Sequence, residues 1–172
     1  GNRSTAMGGD GIRLGEGSNG GYPDFDGLTP DLATVVHPID LVDECAFFKI
    51  RDGATFYDSG GHPFAENIGL RLTGWIQISA EGDYSFALPG LDDWARLFVL
   101  DETLVDWPGG GTPPPAIKHL TVGDHAIRLD YFEGGGAATL RLDVTGPQPA
   151  ALTTSGNTGG CASGQVGLCG QF

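Results

Sequence analysis

Two adjacent aspartates, Asp92 and Asp93, are the residues of this sequence best suited to bind a ligand directly. Neighbouring carboxylates on a loop suit a hard cation such as Ca2+, which takes about six to eight oxygen ligands. Two side chains do not fill that shell, so backbone carbonyls, other side chains or water must supply the rest. The pair therefore predicts a calcium site, whereas the simpler alternative is a solvated loop, because aspartate is common in turns.

The segments on both sides of the pair alternate between apolar and polar residues, as half-buried strands do. Residues 84–88 alternate before the loop and residues 95–99 alternate after it, and similar patterns recur at 70–78, 127–131 and 138–144. About nine short strands separated by turn residues are typical of an antiparallel β-sandwich. The predicted fold class is therefore all-β. The residues predicted to face inward are Leu72, Ile78, Phe86, Leu97, Leu129 and Leu140.

Composition limits the classes of partner. The chain has 172 residues, which fits one domain, and its 30 glycines and 11 prolines suit a turn-rich β protein. Its net charge of -13 would repel phosphate backbones, which argues against nucleic acid as a partner. The sequence also has no apolar run of about 18 residues, so membrane insertion is not expected.

Local composition divides the chain into four parts. Residues 1–8 are interpreted as a cloning remnant and residues 9–45 as an irregular N-terminal arm with loops. Residues 46–145 are predicted to form the sandwich core. Residues 146–172 have the composition of a linker and are predicted to be an irregular C-terminal tail with a disulfide loop.

The disulfide assignment rests on loop length. Cys161 and Cys169 bracket a short glycine-containing loop and are the favoured pair. A bridge that involves Cys45, or three free thiols, stay open as alternatives. Cys45 precedes two phenylalanines, which favours a small buried apolar residue. A disulfide would indicate an oxidising compartment.

The stretch around the aspartates resembles the core of the PA14 family, a β-sandwich module named after the anthrax protective antigen. The resemblance covers roughly residues 46–144. It departs from the family at Trp94, where members usually have glycine after the aspartate pair. The matching positions are Gly82, Tyr84, Phe86, Asp92, Asp93, Arg96, Leu97, Phe98, Leu104, Val105 and Asp106, with similar flanking hairpins at 71–82 and 122–144.

The resemblance implies a calcium ion at Asp92 and Asp93, and loops beside it that contact sugar hydroxyls. Glu133 would then supply a hydrogen-bond acceptor, and Gly134 and Gly135 would allow close approach of the backbone. The alternative for these three residues is an ordinary hairpin turn.

Tryptophan rings stack on the apolar faces of sugars, so Trp94 and Trp107, which flank loops, are further candidates for carbohydrate binding. The alternative for both residues is packing between strands.

No catalytic motif accompanies these residues: the sequence lacks a nucleophile elbow, a phosphate-binding loop and a dinucleotide fingerprint. We therefore expect a non-catalytic, calcium-dependent lectin or adhesin-like module. It would bind a glycan or polysaccharide as part of a larger multidomain protein, secreted or at the cell surface. The alternative is a structural or protein-interaction module without affinity for sugar.

Overall fold

The computed structural model is all-β, which confirms the predicted fold class. It describes residues 5–7, 11–13, 25, 29–43, 47–154 and 160–172. No helix occurs among them, and accordingly no helix long and apolar enough to cross a membrane is found in this part of the chain. The strands are β1 (Thr5–Met7), β2 (Gly11–Arg13), β3 (Ala33–Val36), β4 (Asp40–Asp43), β5 (Phe48–Ile50), β6 (Ile68–Ile78), β7 (Gly82–Ala87), β8 (Trp94–Val99), β9 (Glu102–Trp107), β10 (Ala116–Leu120), β11 (Gly123–Glu133), β12 (Thr139–Arg141), β13 (Asp143–Thr145), β14 (Ala151–Thr153) and β15 (Leu168–Gln171).

One large antiparallel sheet contributes to the core together with two small ones. The large sheet has seven strands in the order β3-β15-β6-β11-β8-β9, and β14 also pairs with β6. The small sheets have the orders β10-β7-β13 and β12-β4-β5, and only Leu142 separates β12 from β13. Because β12 and β13 follow each other directly, they connect the two small sheets. Strands β1 and β2 form a separate pair.

The core lies between these sheets and follows the alternation of the strands. On β6 the burial alternates from Leu70 to Ile78, so one face is dry and the other is wet. The six residues that the sequence predicts to face inward are all at most 4 % exposed. Each belongs to one continuous apolar cluster, so the strand faces predicted to be buried do face the core.

The C-terminal segment corrects the predicted division of the chain. Residues 146–172 are not a linker throughout, because β14 and β15 both pair with β6 and β15 also pairs with β3. Leu168 and Phe172 are fully buried in the same core cluster. Strand β15 has only four residues and lies between two partner strands, so its residues do not alternate between apolar and polar types. Without that alternation, composition alone suggested a tail.

The N-terminal segment needs a similar correction. Within residues 9–45, β3 belongs to the large sheet and β4 to a small one, and a cis peptide bond joins His37 to Pro38 between them. Val36 and Leu41 are fully buried. The sandwich therefore includes strands from well before residue 46.

A disulfide joins Cys161 to Cys169, with their Sγ atoms 2.10 Å apart, as the sequence favoured. Cys169 lies in β15, so the bridge attaches the preceding loop to a buried strand. Cys45 lies outside the described residues, and so do residues 1–4 and Gly8 of the segment interpreted as a cloning remnant.

Candidate cation site

Asp92 and Asp93 lie at one end of the sandwich, on the loop between β7 and β8. A cis peptide bond joins them. The backbone of Asp92 is anchored to the opposite layer: its N–H donates to the carbonyl of Thr139 at 3.1 Å, and its carbonyl accepts from the Thr139 N–H at 3.2 Å. The Tyr131 hydroxyl also donates to the Asp92 carbonyl. The position of this loop is therefore fixed by strands on both sides of the core.

Two glycine-containing loops approach the two carboxylates. The Gly134 N–H donates to Asp93 Oδ2 at 2.8 Å, and a Cβ at Gly134 would lie 3.5 Å from the same oxygen. On the other side, a Cβ at Gly110 would lie 3.3 Å from Asp92 Oδ1. A Cβ at Gly110 would be a tight contact, so glycine helps that backbone come close to Asp92, whereas a Cβ at Gly134 would make an ordinary contact with Asp93.

The glycine-proline loop at 108–115 is held against the aspartate loop by two hydrogen bonds. The Gly111 N–H donates to the Leu91 carbonyl at 2.7 Å, and the Gly90 N–H donates to Thr112 Oγ1 at 2.8 Å. The candidate site is thus formed by three loops: residues 89–93, 108–112 and 134–136.

The two aspartates interact with each other. Burial, hydrogen bonding with the Asp93 side chain and the Asp93 charge raise the pKa of Asp92 above its usual value. Two like charges held this close favour a bound cation, which would remove their repulsion.

Glu133 has an environment that does not match the role predicted from the sequence. The sequence suggested a sugar acceptor on a hairpin, whereas the structure buries the side chain completely. Neither carboxylate oxygen has a hydrogen-bond partner among the described residues. Burial and the charge of Asp93 raise the pKa of Glu133 to about 8, and the Gly135 N–H acts in the opposite direction.

Asp43 and Tyr131 are parts of this region that the sequence analysis did not select. The charge of Asp43, at the end of β4, also raises the pKa of Glu133. Burial, followed by the charges of Glu133, Asp93 and Asp92, raises the pKa of the Tyr131 phenol, which therefore stays a hydrogen-bond donor. The sequence contained one usable signal: Tyr131 and Glu133 continue the inward phase of Ile127 and Leu129 along β11.

The two candidate tryptophans lie on opposite faces of the large sheet. Trp94 is opposite Phe132, its ring 6.0 Å from the Phe132 ring in an edge-on arrangement, and its side chain is partly exposed. Trp107 is opposite the buried Ala95, so it has the inward phase. Trp107 lines an open groove of about 330 Å³ together with residues 104–106 and 113–116. Of the two, Trp94 directly follows the aspartate pair in sequence.

Among the predicted sugar-binding residues, Gly134 lies at the candidate site through its bond to Asp93, and Gly135 is exposed beside it. The described residues contain no group of three or more His, Cys, Asp and Glu side chains arranged to hold a metal ion. A cation at Asp92 and Asp93 would need backbone carbonyls, water or a rearranged side chain to complete its shell. No family model, curated protein or solved structure matches this chain.

Proposed function

We propose that this chain is a non-catalytic module that binds carbohydrate through a calcium ion held by Asp92 and Asp93. The observation that carries the proposal is the approach of two glycine-containing loops to the carboxylates: the Gly134 N–H donates to Asp93 Oδ2, and a Cβ at Gly110 would lie 3.3 Å from Asp92 Oδ1. Because neither glycine has a side chain, none blocks the approach of an ion to the carboxylates at these two positions.

Sugar hydroxyls suit this site because Ca2+ accepts neutral oxygen ligands in addition to carboxylates. Two aspartates leave several coordination positions for other oxygens. Trp94 is partly exposed next to Asp93 and offers an aromatic surface for the apolar face of a sugar ring. The resemblance to PA14 modules of the lectin and adhesin type supports the same function, and it implies a secreted or cell-surface setting within a larger protein.

The ion is tested first by thermal unfolding in Ca2+ and in Mg2+ at matched ionic strength. Mg2+ is smaller and loses its water reluctantly, so a site built for calcium responds to Ca2+ alone. At about 100 times the dissociation constant, Ca2+ should raise the free energy of unfolding by about 2.7 kcal/mol. Asp93→Asn should abolish this gain.

The matched control for that variant is Asp124→Asn. Asp124 is exposed and lies near the start of β11, at the end of that strand far from Gly134. It removes the same charge and should keep the calcium response. Equal stabilisation by both cations would indicate screening of the net charge of -13 rather than a site.

The sugar is tested on a glycan array in calcium and in chelator. We expect bound glycans in calcium, no signal in chelator, and no signal for Asp93→Asn in either. Calcium binding without any bound glycan would instead support the structural or protein-interaction module. Glycan binding that survives the chelator would contradict the role of the ion.

A further inference from the structure

Glu133 is a buried acid that the proposed function leaves unexplained. Its side chain has no exposed surface, and both carboxylate oxygens lack a hydrogen-bond partner within the described part of the chain. An ionised carboxylate without partners in a protein interior is unfavourable by several kcal/mol. Such a residue either stays protonated or is matched by a ligand that supplies positive charge.

Glu133 lies at the end of β11 that approaches the aspartate pair. The residue two places before it, Tyr131, donates its hydroxyl proton to the Asp92 carbonyl. The residue directly after it, Gly134, donates its N–H to Asp93 Oδ2. Glu133 thus lies between two residues that both contact the pair, and it shares the inward phase of Tyr131.

The charges around Glu133 favour a cation. Tyr131 and Gly134 hold Asp92 and Asp93 beside this end of β11, and Asp43 is a further carboxylate that acts on Glu133. Like charges of this kind repel one another, which disfavours close approach of the carboxylates. The described residues do not arrange three such carboxylates around a metal position, so a divalent cation would have to draw them together by replacing their repulsion with attraction.

We propose that Glu133 is the inner ligand of the cation site, binding the ion from the core side while Asp92 and Asp93 bind it from the loop. This inference rests on the proposed function, since it concerns the same ion. It changes the chemistry of the site in two ways. Three carboxylates bind a divalent cation more tightly than two, because affinity rises with the charge of the ligand set. Glu133 then contacts the ion rather than a sugar.

The test is calorimetric titration of the whole chain with Ca2+ at fixed pH and ionic strength, for wild type and Glu133→Gln. Glutamine keeps the size of the side chain and removes its charge. We expect calcium affinity to fall roughly 10–100-fold, in the range seen when groups that support a metal site are removed. The unfolding temperature without calcium should not fall, because glutamine, like the protonated acid, is neutral and of similar size.

The matched control is Glu66→Gln. Glu66 is exposed at the same end of the sandwich, its Cδ 4.0 Å from the position of a Cβ at Gly135. It loses the same charge near the site, but from a solvated position where salt screens it. Its calcium affinity should stay close to that of wild type.

The outcomes separate this inference from the proposed function. If wild type binds calcium and Glu133→Gln binds it equally well, the inner ligand is overturned and the site at Asp92 and Asp93 stands. If wild type does not bind calcium, both are overturned. If Glu133→Gln does not fold, Glu133→Asp takes its place. Its shorter side chain should weaken calcium binding, and unchanged affinity would overturn the inference.

Discussion

Phe172→Ala should lower the free energy of unfolding by about 3–5 kcal/mol, the usual cost of removing a buried phenylalanine ring. Phe172 is fully buried at the end of the described chain. Its ring centre lies 4.5 Å from that of Phe56, 5.4 Å from that of Phe64 and 6.1 Å from that of Phe48. The cavity would open inside an aromatic cluster that holds β15 against the core, so the loss should appear in urea denaturation.

Val166→Ala is the control for this prediction. Val166 belongs to the same C-terminal segment but is 62 % exposed, so its truncation should change stability by only a few tenths of a kcal/mol. If Phe172→Ala costs no more than this control, the C-terminal residues do not complete the core. The chain end would then behave as the tail that composition suggested.

The contrast between β6 and β15 explains how much of the fold could be predicted from the sequence. On β6, one face meets the core and the other meets water, so each residue type records the face on which it lies. On β15, Leu168, Cys169 and Gly170 are all buried, and no alternation remains to be recognised. Its place between β3 and β6 depends on pairing with residues 96–100 positions away on β6 and 132–138 positions away on β3, which a local pattern does not contain.

At the candidate site, too, the sequence predicted what depends on neighbouring residues and missed what depends on distant strands. Asp92 and Asp93 could be selected from the sequence because two adjacent carboxylates stand in a loop between two alternating strands. The burial of Glu133 depends on the strand that carries it and on the layer opposite, where Asp43 ends β4. The glycines after Glu133 suggested an exposed hairpin, although its phase along β11 pointed inward. Here the period of the strand was a better guide than the composition of the turn.

The second large effect concerns the dependence of stability on pH, in chelator so that no calcium is bound. Burial and the neighbouring carboxylates raise the pKa of Glu133 from 4.5 to about 8 in the folded protein. The folded state therefore keeps a proton that the unfolded state has already released. Stability from this group is fully present below about pH 4.5 and is lost as the pH rises through about 8. We expect wild type to lose a few kcal/mol between pH 5 and pH 8.

Glu133→Gln should remove most of that loss, because glutamine does not titrate. Other groups act in the same direction: the raised pKa of Asp92 also favours the protonated folded state, and the carboxylates of Glu81 and Asp83 raise the pKa of His119. These groups remain in the variant, so the difference between the two pH profiles isolates Glu133. Glu66→Gln, which removes an exposed carboxylate, should follow the wild-type profile. Parallel profiles for wild type and Glu133→Gln would mean that water or a neighbouring donor already solvates the buried acid, and the case for an inner cation ligand would lose its physical basis.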